Sequence, residues 1–154
     1  MMNKNKNNQI IELSIILPTY NESSTIEKML DAIAAAAPHR IKVEVLVIDD
    51  DSPDGTSKIV DSYIQKSKGD VSFRIHTRKG KRGLSSAVID GIGLAHGKFV
   101  LVMDSDFSHP PQMISTMYDE LVNNGLDIVV GSRYVEGGKY EEWPLTRKLI
   151  SKVG

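Results

Sequence analysis

Apolar positions along the chain fall into two alternating periods. Short apolar runs from Leu13 to Leu17, where Pro18 stops the run, and from Val43 to Ile48 predict buried strands. Between them Ile26, Met29, Leu30, Ile33 and Ala37 recur at helical spacing up to Pro38, behind a capping box at Ser24-Thr25-Ile26-Glu27. After the turn residues Ser52-Pro53-Asp54-Gly55, the set Ile59, Val60, Tyr63 and Ile64 marks a second amphipathic helix. Phe73 and Ile75 lie in a weaker third strand. A helix from about Ser85 carries Ala87, Val88, Gly91, Ile92 and Ala95 on one face and is expected to end at Gly97. Phe99 to Met103 reads as the clearest buried strand. Pro110-Pro111 then opens a helix through Met113, Ile114, Met117 and Leu121 to Gly125, and Ile128 to Val130 reads as a fifth strand.

Strands alternating with helices in this way predict an α/β domain built of βαβ units around a mostly parallel sheet. Such sheets bind ligands at the carboxyl ends of their strands. The residues that follow strands one, two and four therefore matter most. They are Pro18-Thr19-Tyr20-Asn21-Glu22, Asp49-Asp50-Asp51-Ser52-Pro53-Asp54-Gly55, and Asp104-Ser105-Asp106-Phe107-Ser108-His109. Acidic side chains thus converge on one edge, where a merely solvated surface would scatter them.

Composition narrows the classes. The chain has 154 residues, with 40% hydrophobic and 25% charged, as in an ordinary folded domain. Lys and Arg number 19 against 20 Asp and Glu, so the basic excess that nucleic acid demands is missing. Without cysteine there is neither a disulfide scaffold nor a thiolate zinc site. No apolar run approaches the ~20 residues of a membrane span. Residues 1–11 read as a mobile polar arm, and 12–154 as one domain.

Asp104 and Asp106 are two apart on an extended segment, so both side chains point the same way. Two carboxylates so placed can hold Mg²⁺ or Mn²⁺ and leave room for substrate phosphates. The cation would offset the repulsion between a diphosphate and an acidic cleft. Asp49 or Asp50 can accept hydrogen bonds from a ribose or a base N–H, with Tyr20 and Glu22 on the other side. Against this stands ordinary turn chemistry, which accounts for Pro53, Asp54 and Gly55.

No strand is followed by Gly-x-Gly-x-x-Gly, and Gly97-Lys98 lacks both the Ser/Thr and the strand-to-helix order of a P-loop. The basic stretch Arg78 to Gly83 precedes a helix, where it could meet phosphates or simply be solvated. Beyond Gly131, Arg133, Tyr134, Tyr140 and Trp143 form an aromatic-basic loop. Pro144 then opens a helix with Leu145, Leu149, Ile150 and Val153 on one face and Arg147 and Ser151 as i, i+4 neighbours. Such a helix suits either a membrane interface with its lipid phosphates or packing against the domain. The four histidines show no metal-ligand spacing.

Together these motifs resemble family 2 glycosyltransferases of the GT-A fold, a Rossmann-like three-layer sandwich. Pro18-Thr19-Tyr20-Asn21-Glu22 is similar to that family's nucleotide-binding signature, and Asp104-Ser105-Asp106 to its metal-binding Asp-x-Asp. Asp49 to Thr56, Asp106-Phe107-Ser108-His109-Pro110-Pro111 and Gly131-Ser132-Arg133-Tyr134 more closely resemble the dolichol-phosphate mannosyltransferases. The resemblance implies an inverting transfer of mannose from GDP-mannose to a dolichyl (polyprenyl) phosphate, at the cytoplasmic face of a membrane. Carried over by position, Pro18, Tyr20, Glu22, Asp49, Asp50 and Gly83 would hold the nucleotide sugar. Asp104 and Asp106, with Ser108, would hold Mg²⁺ or Mn²⁺. Arg133, Arg147 and Ser151 would grip the acceptor phosphate, so that Asp104, Asp106 and Arg133 form the catalytic set. Asp51 stands where Gly is common, and Ser85-Ser86 where Gly-Thr is often found. The resemblance further implies a catalytic domain truncated here, with a membrane-anchoring segment or subunit elsewhere. Competing readings are a polyprenyl-phosphate glucosyltransferase using a UDP-sugar and a non-catalytic nucleotide-binding fragment. An aspartate-nucleophile phosphatase would place Asp-x-Asp after the first strand, which this chain does not.

Overall fold

The computed structural model describes residues 10–132, and the chain divides into two compact units, Met1–Thr116 and Met117–Gly154. The elements are β1 (Leu13–Thr19), α1 (Ile26–Ala36), β2 (Val43–Asp49), α2 (Thr56–Lys66), β3 (Val71–Thr77), α3 (Leu84–Leu94), β4 (Phe99–Val102) and α4 (Met113–Asn123). The strands pair in the order β3-β2-β1-β4, all parallel, with Leu13 opposite Val43 and Phe99, and Val43 opposite Val71.

Every residue of β1 and β2 is buried, because these central strands are covered on both faces. α3 lies on the face of Ile16, Leu46 and Ile48. α1 and α2 pack together, with α2 on β2 and β3, over the face that holds Ile15, Leu17, Val45 and Val47. In α1 the predicted apolar stripe is the buried one: Ile26, Met29, Leu30 and Ile33.

Several sequence expectations need correction. β1 continues through Pro18 to Thr19. Even-numbered β1 residues face β4: Phe99 and Met103 donate their N–H groups to the carbonyls of Glu12 and Ile16. The β1–β4 ladder ends at Ile16, so the N–H that Pro18 lacks has no partner to miss. No capping box forms at α1. Thr25 is the N-cap without a side-chain cap, and the N–H groups of Thr25 and Ile26 donate to the Glu22 carbonyl instead. β4 is not the best-buried strand. It is an edge strand among the described residues, as β3 is, with Val100 and Val102 about 40% exposed. Nor is there a strand at 128–130: ladder pairing is what makes a strand, and Ile128 and Val130 lie exposed without it.

Gly97 does not cap α3, which ends at Leu94. Its role is close approach. A Cβ there would sit 2.5 Å from the Ser14 nitrogen, and the Gly97 N–H donates to Ser14 Oγ at 2.8 Å. Gly97→Ala should therefore cost roughly 1–3 kcal/mol through displacement of the central strand. The check is a lower denaturation midpoint at an unchanged slope.

The same region holds a fully buried carboxylate, Glu44. It accepts from the Ser14 hydroxyl at 2.6 Å, the His96 N–H at 2.6 Å and Arg74 at 2.9 Å. Burial pushes the Glu44 carboxyl up, but these donors outweigh it and hold the group below its ordinary value of 4.5. A carboxyl lowered on folding adds stability that is present above the unfolded value and lost as pH falls through the folded one. Stability should thus decline below about pH 4.5, and Glu44→Gln should start less stable and lose less, as denaturation at stepped pH would read.

Candidate active site

β2 and β3 lie to one side of β1 and β4 lies to the other, so the connection order reverses between β1 and β4. Such a reversal opens a crevice beyond the strands' carboxyl ends. The loops after β1, β2 and β4 meet that edge. Each contains one non-glycine residue in the left-handed region: Asn21 at φ 61°, Asp51 at 55° and Phe107 at 63°. Asp51 thus adopts a backbone that glycine takes without cost, which gives the departure from Gly noted in the sequence a conformational meaning.

A cavity of about 240 Å³ is bounded by Pro18, Thr19, Tyr20, Asp50, Arg82, Gly83, Leu84 and Ala87. It unites four of the six residues assigned to the nucleotide: Pro18, Tyr20, Asp50 and Gly83. The Arg82 guanidinium lies over the Tyr20 ring, 4.7 Å from its centroid.

Asp50 is buried. One oxygen takes Arg78 Nε at 2.7 Å together with its Nη2, and the other takes the Gly83 N–H at 2.8 Å. Arg78, itself only 2% exposed, also donates to Ser86 Oγ at 3.0 Å, Asp90 at 3.2 Å and the Gly83 carbonyl at 3.2 Å. The first residue of the basic stretch is therefore an internal clamp that shapes the cavity wall, not a solvated cation. Nothing local in the sequence separates it from the lysines beside it.

Asp49 and Glu22 do not line the cavity. The Asp49 carboxylate receives Thr19 Oγ1 (3.1 Å), Ser52 Oγ (2.6 Å), the Ser52 N–H (3.0 Å) and Ser57 Oγ (2.6 Å). Four donors fill the acceptor capacity of a carboxylate, so Asp49 organises its own loop. Glu22 accepts from Thr25 Oγ1 at 2.6 Å within the turn that starts α1. Both acids, assigned to the nucleotide by the resemblance, lie outside the cavity lining and accept from neighbouring hydroxyls and the Ser52 N–H. Asp54 reaches further than turn chemistry implies. Its Oδ1 accepts the Thr56 N–H and hydroxyl, while its Oδ2 accepts the Ser23 N–H at 2.9 Å, and these bonds hold it well below the ordinary carboxyl value.

Asp104, Asp106 and Ser108 gather in the loop after β4, which Ser105 Oγ ties to the Pro18 carbonyl at 3.3 Å. Ser108 donates its hydroxyl to Asp104 at 3.3 Å and its N–H to Asp106 at 2.9 Å. The Ser108 bonds keep the Asp106 carboxyl below its ordinary value. His109, which sequence spacing passed over, joins the cluster: its Nδ1 accepts the Asp104 N–H at 3.0 Å, and its Nε2 lies 3.6 Å from Asp104 Oδ2. Carboxylates and a hydroxyl are the oxygen donors that Mg²⁺ and Mn²⁺ take. Among the described residues no three His, Cys, Asp or Glu side chains are arranged to hold a metal, so a cation here would also draw on Ser108, water or substrate phosphates. Arg133, Arg147 and Ser151 lie outside the described residues.

A parallel α/β sheet with a cavity and an acidic loop at its switch point defines the protein as having the GT-A glycosyltransferase architecture, and comparison with solved structures agrees. A mannosyltransferase from Pyrobaculum calidifontis in complex with GDP-Man and Mn²⁺ matches 76% of this chain and 36% of its own, at 27% identity and a TM-score of 0.64. S. aureus TarS in complex with UDP-GlcNAc matches 62% of this chain and 27% of its own, at 30% identity and a TM-score of 0.52. Residues 14–153 match the model of glycosyl transferase family 2, and the chain belongs to that family. It is 43% identical over 142 residues to the dolichol-phosphate mannosyltransferase of Pyrococcus furiosus, covering 92% of this chain and 39% of the relative. It is 39% identical over 144 residues to the polyprenol monophosphomannose synthase of Mycolicibacterium smegmatis, covering 90% and 51%. The chain thus spans about half, or less, of the length of these curated relatives. Among the described residues no helix is long and apolar enough to cross a membrane.

Proposed function

We propose that the chain carries the donor-binding part of a metal-dependent, inverting mannosyltransferase that moves mannose from GDP-mannose to a dolichyl or other polyprenyl phosphate. The observation that supports this most is the pairing of the Tyr20–Asp50–Gly83 cavity with the Asp104–Asp106–Ser108 loop at one switch point. The names of the two curated relatives favour the mannosyl donor and the lipid acceptor.

In this reading Pro18, Tyr20, Asp50 and Gly83 receive the nucleoside, and Asp49 keeps the loop beneath them in shape. Asp104 and Asp106, with Ser108, would hold Mg²⁺ or Mn²⁺, which supplies positive charge to the departing diphosphate. Arg133, Arg147 and Ser151 are assigned to the acceptor phosphate. An oxygen of that phosphate is already anionic, so it attacks the anomeric carbon without a dedicated base. The bond from that carbon to the GDP oxygen breaks, and GDP leaves with the electron pair. The residues act by positioning and by electrostatics. In this reading the lipid acceptor puts the reaction at a membrane surface, on its cytoplasmic side.

Calorimetric titration with GDP and UDP, each with and without Mn²⁺, tests the reading. GDP should bind more tightly than UDP, and only with the metal. The likeness to a structure holding UDP-GlcNAc favours a second reading, a UDP-sugar donor, which a preference for UDP would establish. Binding of neither would remove the cavity from nucleotide chemistry.

A further inference from the structure

We propose that Asp54 is a positioning residue for the nucleotide site, setting the shape of the loop that presents Tyr20 to the cavity. The inference rests on the nucleotide reading above and adds a residue outside the cavity wall. Three consecutive backbone N–H groups after β1 donate to side chains of the loop after β2 and the first residue of α2. Asn21 N–H goes to Ser52 Oγ at 3.0 Å, Glu22 N–H to Thr56 Oγ1 at 3.0 Å, and Ser23 N–H to Asp54 Oδ2 at 2.9 Å. The loop after β1 therefore takes its backbone path from the loop after β2.

Proton counting makes Asp54 the organiser. A hydroxyl carries one hydrogen. Thr56 Oγ1 can accept the Glu22 N–H only if its own hydrogen points elsewhere, and it points to Asp54 Oδ1 at 2.6 Å. Ser52 repeats the device, giving its hydrogen to Asp49 Oδ1 at 2.6 Å and accepting from Asn21. Asp54 thus fixes one amide directly and a second through Thr56. Next to these amides stands Asn21 at φ 61°, and before it Tyr20, which lines the cavity. A backbone in that region holds its shape only where its surroundings over-determine it.

Asp54→Asn has nearly the same size but one acceptor fewer. In one amide orientation the NH₂ group faces the Ser23 N–H, donor against donor. In the other it faces the Thr56 N–H, donor against donor, and the Thr56 hydroxyl loses the acceptor that holds its hydrogen. The latch fails either way. In this chain Asp54→Asn should weaken GDP binding with Mn²⁺ by roughly tenfold, the scale of one or two lost positioning hydrogen bonds. Amide hydrogen exchange should speed up at residues 21–23 and stay slow in β1 and β2. The dependence of GDP affinity on Mn²⁺ concentration should not change, since the acids after β4 are untouched. Thr56→Val should reproduce the effect, and Thr56→Ser, which keeps the hydroxyl, should bind as the parent does. If the parent binds GDP and both Asp54→Asn and Thr56→Val bind it equally well, the positioning role is wrong, whatever the exchange data show. A parent that binds no nucleotide overturns the nucleotide reading itself, and this inference with it.

Discussion

Asp106→Asn should bind GDP in the presence of Mn²⁺ roughly 100-fold or more weakly than the parent, because withdrawing one carboxylate from a two-carboxylate cation site costs on the order of several kcal/mol. The substitution isolates charge from shape. Asp106 accepts the Ser108 N–H at 2.9 Å, and an asparagine oxygen can do the same, so the turn around Phe107 keeps its geometry. What is lost is one of the two negative charges after β4. The control is titration in a chelator, where parent and variant should be alike. Equal affinity of the two with Mn²⁺ present would remove Asp106 from the metal site.

Arg78→Met should destabilise the fold by about 3–5 kcal/mol, the usual cost of leaving a buried charge without its partner. Arg78 and Asp50 are both buried, and the arginine also serves Ser86, Asp90 and the Gly83 carbonyl. Methionine fills much of the volume and supplies none of these bonds. Removing the orphaned charge as well, in Arg78→Met/Asp50→Asn, should recover part of the loss, since a buried pair replaced as a unit is far less costly than one broken. Urea unfolding reads both. A loss below about 1 kcal/mol for the single variant would return Arg78 to the class of exposed surface pairs.

Local pattern suffices for the first two strands and the helix between them. The runs around Leu13 and Val43 and the stripe Ile26-Met29-Leu30-Ile33 are the buried positions of β1, β2 and α1, because a strand covered on both faces reads as a continuous apolar run and burial of one helix face imposes the helical period. Pattern failed where an element's fate depended on a neighbour. Phe99 to Met103 is as apolar as a central strand, yet β4 is an edge among the described residues, and which strand pairs beside it is not written in its own residues. Gly97 reads locally as a helix stop, but its missing side chain admits the Ser14 backbone, 83 positions away.

At the site the same boundary separates place from role. That acids follow strands one, two and four is a property of the sequence, and βαβ connections bring them to one edge whatever their side chains then do. Which acids remain open to a ligand was decided only by tertiary contacts. Asp49 and Asp50 are adjacent in the chain, yet Asp49 turns into its loop toward Thr19, Ser52 and Ser57 while Asp50 meets Arg78 and Gly83 at the cavity wall. Asp54 looks like any turn aspartate until the Ser23 N–H, 31 positions earlier, is brought to it. The physical reason is common to all three. A carboxylate's chemistry depends on which donors fill its lone pairs, and here several of those donors come from chain segments about 30 residues distant, which only the folded sheet brings within reach.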